Sequence, residues 1–330
     1  MIVVCGAGGF IGGHLVNSLL TRGEQVKAVD IKPFGSWYQI NDKADNIQSD
    51  LGLRETCLEV LAGARHVYNL AADMGGIGFI EENKAQCMLN VLINTHLLLA
   101  SQYHNVERYF FASSACVYAA SKQDKQIAIA LKEEDAYPAM PEDGYGWEKL
   151  FGERMCRHFA EDFGIATRVA RFHNIYGPYG AFHGGREKAP AAICRKVIEA
   201  KLTGQSYLEI WGDGNQTRSF TYIDDCIHGI DLLMNSDVSE PINVGSSETV
   251  TINQLVDIIE KIACTKLERR YQLSAPTGVA GRTSDNTRIK QYFNWEPSMP
   301  LVQGLERTYA WVLGEMSMVT GGVNPSSSIL

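Results

Sequence analysis

Ile2-Val-Val-Cys-Gly6-Ala-Gly-Gly9-Phe-Ile-Gly12 leads a short apolar stretch into three glycines spaced three residues apart. The apolar residues read as a buried strand, and glycines at this spacing allow a tight turn and close backbone approach to a pyrophosphate. A helix starting at residue 9 would meet that phosphate with its free N–H groups. Taken alone, the spacing fits a plain glycine-rich turn equally well. The residues that follow favour the dinucleotide reading. The helix closes at Gly23, and a second strand, Gln25-Val-Lys-Ala-Val-Asp30, ends in a carboxylate. Asp30 can accept from both hydroxyls of an adenosine ribose and would repel a 2′-phosphate, which favours NAD over NADP, although Lys32 works against that preference. Asp50-Leu51, after a further strand, is placed equally well to bond an adenine or to be an exposed loop acid.

The alternation continues through strands at 66–72, 108–113 and 166–171, with helices over 83–103 and from around Tyr145 to about 163. This order predicts an α/β fold, a Rossmann-type doubly wound parallel sheet covered on both faces, with ligands at the carboxyl ends of the strands. After Asn174 the chain turns Gly- and Pro-rich. A helix is expected near 188–200, and Pro241-Ile-Asn-Val-Gly245 reads as a return to the main sheet. The expected division is a dinucleotide-binding domain of 1–174 plus about 214–245. A smaller C-terminal substrate-binding lobe takes about 175–213 plus 246–315, and 316–330, with Thr320-Gly-Gly-Val-Asn-Pro-Ser-Ser-Ser, forms a flexible tail.

Tyr145-Gly-Trp-Glu-Lys149 supplies the chemistry. Four residues apart on a helix, Tyr145 and Lys149 share a face. The ammonium can lower the phenol pKa and hold a ribose, so that the phenolate takes a hydroxyl proton while an alcohol is oxidised. Ser114, at the end of the preceding strand, can bond the same sugar hydroxyl, or merely satisfy strand-end backbone groups. Cys116 stands at the lip of the pocket, where a thiolate beside NAD⁺ and lysines can act as a base; buried filler is the commoner role for cysteine. Lys188, flanked by Arg186, is expected to lose proton affinity and become a better acid, with a solvated helix start or a plain phosphate contact as equally good alternatives. Lys196, Arg218 and Arg282 make a plausible cradle for a diphosphate, although each taken alone reads more often as a surface residue. His173 reads as a packed core imidazole.

The 330 residues suffice for one large or two interlocked domains, and a formal charge of −8 argues against nucleic acid and against a basic membrane patch. No apolar run approaches the ~20 residues of a membrane span. No basic segment or cleavage site follows Met1, so no signal peptide is expected. Eight cysteines without a CxxC pair or metal-ligand spacing suggest a reducing cytoplasm and no metal.

Together with Asn174-Ile-Tyr-Gly-Pro178 and Arg218-Ser-Phe-Thr-Tyr-Ile-Asp-Asp225, these motifs resemble the extended short-chain dehydrogenase/reductase family of nucleotide-sugar enzymes over residues 1–315. Four segments are similar to the branch that epimerises GDP-mannose at C3 and C5. They are Asn69-Leu-Ala-Ala-Asp-Met-Gly-Gly-Ile-Gly-Phe79, Ser113-Ser-Ala-Cys-Val-Tyr118, Arg171-Phe-His-Asn-Ile-Tyr-Gly-Pro178 and Gly184-Gly-Arg-Glu-Lys-Ala-Pro-Ala-Ala192. Tyr118-Ala-Ala120 departs from the usual Tyr-Pro of that branch. The resemblance implies NAD held by Gly6, Gly8, Gly9, Phe10, Ile11, Gly12, Asp30, Asp50, Leu51, Ala71, Ala72, Ser113, Tyr145 and Lys149. It implies GDP-mannose and related GDP-hexoses held by Gly75, Ser114, Ala115, Cys116, Asn174, Glu187, Lys188, Ala189, Lys196, Gln216, Arg218 and Arg282. It also implies Cys116 as general base, Lys188 as general acid, a 4-keto intermediate, GDP-L-galactose and GDP-L-gulose as products, and a homodimer. The competing expectations are a 4-epimerase or 4,6-dehydratase on the same fold, and a non-catalytic NAD-binding regulatory protein.

Overall fold

The computed structural model describes residues 1–125 and 128–321, with side chains to residue 318. The first five strands are β1 (Ile2–Cys5), β2 (Val26–Asp30), β3 (Asp45–Gln48), β4 (His66–Asn69) and β5 (Arg108–Ser114). They join Ala166–Phe172 and Ile242–Val244 in one seven-stranded sheet ordered Ile242–Val244, Ala166–Phe172, β5, β4, β1, β2, β3. Every pairing in it is parallel. The chain lays down β1, β2 and β3 in one direction, then returns to the other side of β1 for β4. The carboxyl ends of β1 and β4 therefore flank a crevice at the topological switch point.

All four β1 residues are buried, and they alternate between two apolar layers. Ile2 and Val4 pack with Leu15, Val16 and Leu19 of the helix Phe10–Thr21, whereas Val3 and Cys5 pack with Leu97 and Leu98 of the helix Asn90–Tyr103. A period of two with apolar groups on both sides is what a doubly covered sheet requires. Each such buried aliphatic side chain contributes roughly 1.5–3 kcal/mol.

A second, four-stranded sheet forms from Ala130–Leu131, Thr217–Ser219, Thr249–Thr251 and Gly281–Ser284, with Tyr207–Trp211 and Glu268–Gln272 paired separately. Two of those four strands, Ala130–Leu131 and Thr217–Ser219, come from stretches expected in the dinucleotide-binding domain. The small sheet thus crosses that boundary. The helix expected over 83–103 is two, Lys84–Met88 and Asn90–Tyr103, and a further helix, Ile77–Glu82, precedes them. The last helix runs to Gly321, past the expected end of the lobe at 315, and the rest of the expected tail (322–330) lies outside the described residues. Among the described residues no helix is long and apolar enough to cross a membrane.

Candidate active site

The glycine turn opens at the carboxyl end of β1. Gly6 takes a left-handed backbone (φ 83°), and Gly12 lies so close that a Cβ on it would strike the Gly6 carbonyl oxygen. The first turn of the helix Phe10–Thr21 therefore rests directly on the loop, with its N–H groups uncapped by any side chain. Asp30 is buried at the end of β2, and its carboxylate accepts the nearby Lys32 N–H at 3.0 Å. A cradle too tight for side chains beside a buried carboxylate fits a dinucleotide. Trp37 packs against Gly8, leaving no room for a Cβ there. Asp50 accepts the Gly52 N–H at 2.8 Å, and the Leu51 side chain is core. Ala71 donates its N–H to Asn69 at 3.2 Å, and Ala72 follows it at the mouth of the crevice. The Ser113 hydroxyl is engaged elsewhere: it donates to Glu153 at 2.5 Å.

Beyond the cradle lies a cavity of ≈ 1290 Å³. Its walls carry Gly75, Ser114, Cys116, Tyr145, Asn174, Glu187, Lys188, Ala189, Lys196, Gln216, Arg218 and Arg282. Ala115 does not reach it; its side chain packs with Val117, Tyr118, Leu131, Ala136 and Leu150. Tyr145 sits in the first turns of the helix Asp143–Phe163, and Ser114 and Cys116 belong to the end of β5 and the turn after it. The Ser114 hydroxyl accepts the Cys116 N–H at 3.2 Å, which fixes that turn.

Lys149 is buried, with Nζ 5.5 Å from the centre of the Tyr145 ring and 4.9 Å from that of Phe111. The expected lowering of the Tyr145 phenol pKa by Lys149 is not what the folded chain gives. Burial pushes the phenol well up, the Cys116 and Glu148 charges add to that, and the hydrogen bond with Ser114 acts the other way. Lys149 is instead drawn to the buried Glu148 carboxylate at 3.5 Å. Burial raises the Glu148 carboxyl, and Lys149 holds it down.

Lys188 does lose proton affinity, but through burial, with the Cys116 and Cys226 charges working in the opposite direction. Arg186, the expected cause, turns away. It pairs with Asp73 at 2.5 Å, donates to the Met74 carbonyl at 3.0 Å, and stacks 3.8 Å over Phe79. That clamp, with the Gly76 N–H donating to the Arg186 carbonyl at 3.1 Å, joins the loop carrying Gly75 to the loop carrying Lys188.

The three cations expected to form one cradle are held separately. Lys196 donates to the Glu209 carbonyl at 3.0 Å, and burial lowers its pKa. Arg218 donates to the carbonyls of Thr217, Thr277 and Val279, and burial brings it down to about 10. Arg282 lies against Cys116 and Glu142. Asn174, held left-handed at φ 44°, donates to the Ser219 carbonyl at 3.0 Å, and Gln216 to that of Trp211 at 3.1 Å. Glu187 meets Arg195 at 3.3 Å through one oxygen, and the other is buried without a partner. His173 is core: it bonds Asn243 at 3.0 Å, and burial brings its pKa down to about 4.

The reading of single residues missed Gln123, Glu142 and Glu148, which border the site. None stands at a spacing that marks it in the sequence. Only Glu148, a carboxylate beside Lys149 in a helix that must be buried, offered a signal.

A phenol, a lysine and a serine beside a glycine cradle at the switch point of a parallel sheet make up the site of a nicotinamide-dependent enzyme that acts on an alcohol. A model of the NAD dependent epimerase/dehydratase family matches residues 2–245, and the chain belongs to that family. It is therefore an NAD-dependent enzyme. The GDP-mannose 3,5-epimerase 1 of Oryza sativa subsp. japonica is 46% identical over 312 residues, 94% of this chain and 81% of that protein. The UDP-glucuronic acid 4-epimerase of Bacillus cereus, solved with UDP-glucuronic acid and NAD, matches with a TM-score of 0.81 at 27% identity over 95% of this chain and 99% of its own. The UDP-glucose 4-epimerase of Thermotoga maritima shares the fold, with a TM-score of 0.86 at 24% identity over 96% and 99% of the two chains. All three relatives are epimerases of nucleotide sugars.

Proposed function

We propose that the protein inverts C3 and C5 of GDP-mannose through a 4-keto intermediate, giving GDP-L-galactose, and GDP-L-gulose where C5 alone is inverted. The observation that carries this reading is the meeting of a thiol and a lysine, Cys116 and Lys188, on the wall of the same cavity as Tyr145, close enough to interact electrostatically. A 4-epimerase or 4,6-dehydratase needs neither. Residues 1–174 with about 214–245 hold NAD, through Gly6, Gly9, Gly12 and Asp30 above all. Residues 175–213 with 246–315 hold the sugar nucleotide, with Lys196 and Arg218 nearest its diphosphate.

Bound there, NAD supplies reversible oxidation of a sugar alcohol. Tyr145 takes the C4 hydroxyl proton, with Lys149 behind it and the Ser114 hydrogen bond favouring the phenolate against the burial that raises its pKa. A ketone at C4 makes the C3 and C5 protons acidic, because the carbanion delocalises as an enolate. Cys116 removes each proton, and Lys188 returns one to the opposite face. Burial makes Lys188 a readier donor near neutral pH.

A homodimer is supported by an exposed apolar face. Met88, Leu89, Leu92, Trp147 and Phe151 are all exposed on neighbouring helices, and a second copy of the same face would cover them. Trp147→Lys with Phe151→Glu yields monomers by sedimentation if that face is the contact. A cytoplasmic location fits eight free cysteines, six of them buried.

The deciding experiment incubates the protein with NAD⁺ and GDP-mannose in D₂O and reads the recovered sugars by NMR. Deuterium is expected at C3 and C5, and almost none with Cys116→Ser, since a serine hydroxyl is far less acidic than a thiol of ordinary pKa about 8.5. Lys188→Ala should exchange without inverting. Wild-type exchange by Cys116→Ser would reduce that residue to filler, and C4 inversion of a UDP-sugar without solvent deuterium would make the protein a 4-epimerase.

A further inference from the structure

Arg282 is not a free anion receptor. It lies on the strand Gly281–Ser284, in register with Arg218 on the neighbouring strand, and only 7% of it is exposed. Its Nε donates to Oε1 of Gln123 at 2.6 Å, and its guanidinium pairs with Glu142. Another edge of the fork is turned to Cys116, where Nη1 donates to Sγ at 3.6 Å.

The brace is itself fixed to the backbone around the thiol. Gln123, buried, donates to Glu142 at 3.1 Å and to the carbonyls of Tyr118 and Ala119 at 3.3 and 3.4 Å. Glu142 donates its own N–H to the Cys116 carbonyl at 3.0 Å. Residues far apart in the chain thus converge on one sulfur. The other charged or titratable groups acting on it are Lys188, Arg218 and Tyr145. Arg218 spends its fork on three carbonyls, and Lys188 carries a proton it can lose. Unlike the Lys188 ammonium, the Arg282 guanidinium can hold a positive charge beside the sulfur near neutral pH without exchanging a proton with it.

We propose that Arg282, braced by Gln123 and Glu142, is the positioning residue of Cys116, aiming its sulfur into the cavity and setting a fixed positive charge beside it. The proposal rests on the reading of Cys116 as the base. It divides the labour among the cations: Lys188 exchanges protons, and Arg282 holds charge.

The test is alkylation of the NAD-loaded protein by iodoacetamide as a function of pH, followed peptide by peptide by mass spectrometry, with exposed Cys264 as internal reference. Arg282→Gln should raise the Cys116 midpoint by about one pH unit relative to wild type, as loss of a cation at this range does. Arg282→Lys should recover part of the shift, because charge returns without the fork. Glu142→Gln should move the midpoint down, since the guanidinium loses its counter-charge while Gln123 still holds it. The Cys264 midpoint should not move. An unchanged midpoint in Arg282→Gln, or shifts of the same sign in Arg282→Gln and Glu142→Gln, overturns the proposal; should Arg282→Gln not fold, the downward shift in Glu142→Gln decides. These midpoints do not depend on turnover. Opposed shifts alongside wild-type exchange at C3 and C5 in Cys116→Ser would therefore uphold the coupling while removing Cys116 as the base.

Discussion

Gly146→Ala separates the geometry of the thiol from the stability of the fold. Gly146 lies in the helix Asp143–Phe163 with its α-carbon against the turn that carries Cys116. A Cβ there would strike the Cys116 carbonyl oxygen, 3.2 Å from its carbon and 3.1 Å from Cβ of Pro141. The oxygen has little freedom to withdraw, because it accepts the Glu142 N–H at 3.0 Å from the start of the same helix. In an open helix interior alanine gains about 1 kcal/mol over glycine. Overpacking costs about 1–3 kcal/mol, so the net loss of stability is about 0–2 kcal/mol. The effect on catalysis has no such offset. Clearing the oxygen takes a shift on the order of 1 Å, and misplacement on that scale costs about 100-fold in rate.

The measurements are a urea melt and the rate of solvent deuterium entry at C3 and C5. Gly314→Ala, in the last helix where a Cβ would meet nothing within 4 Å, is the control. It should gain up to about 1 kcal/mol and keep the wild-type rate. Wild-type exchange by Gly146→Ala, or stabilisation of it as large as in Gly314→Ala, would refute the argument.

Tyr145→Phe should retain NAD yet give no product, and normal turnover by this variant would take the phenol out of the reaction. Asp30→Ala should weaken NAD binding by about 2 kcal/mol and narrow the gap to NADP, checked by titration; an unchanged preference would remove Asp30 from the ribose. His173 stays neutral in the fold down to pH about 4, whereas the unfolded chain protonates its histidine near 6.5. The unfolded state therefore binds more protons between those values, and stability falls by about 3 kcal/mol as pH drops across that window. His173→Gln should lose that part of the slope in pH-dependent melts, and a slope identical to wild type would contradict the assignment. Arg171→Met strands the Glu153 carboxylate that Arg171 grips at 2.7 and 2.9 Å, and should cost about 3–5 kcal/mol in denaturant melts.

The sheet was legible because its signal is local. A strand such as Ile2–Cys5, buried on both faces, shows as an unbroken apolar run, and the glycines and Asp30 fall at strand ends that such runs locate. The small sheet was less legible. Ala130–Leu131 is two residues long, and its pairing with Gly281–Ser284 joins residues nearly half the chain apart, so no window of sequence contains it. The interruption at Leu89 carries neither glycine nor proline, which is why one helix was expected where two form.

The site divides in the same way. The spacing of Tyr145 and Lys149 is a helix property and survives folding, but the field around each group is set by residues that sequence distance hides. Arg186 and Lys188 are two positions apart, yet Asp73 and Phe79 draw the arginine out of the lysine's surroundings. What weakens the hold of Lys188 on its proton is then the low-dielectric wall it occupies, a property of packing that no neighbour in the chain announces. Arg282, held at Cys116 by Gln123 and Glu142, sets a second cation in the same cavity, one that does not exchange its proton as Lys188 can.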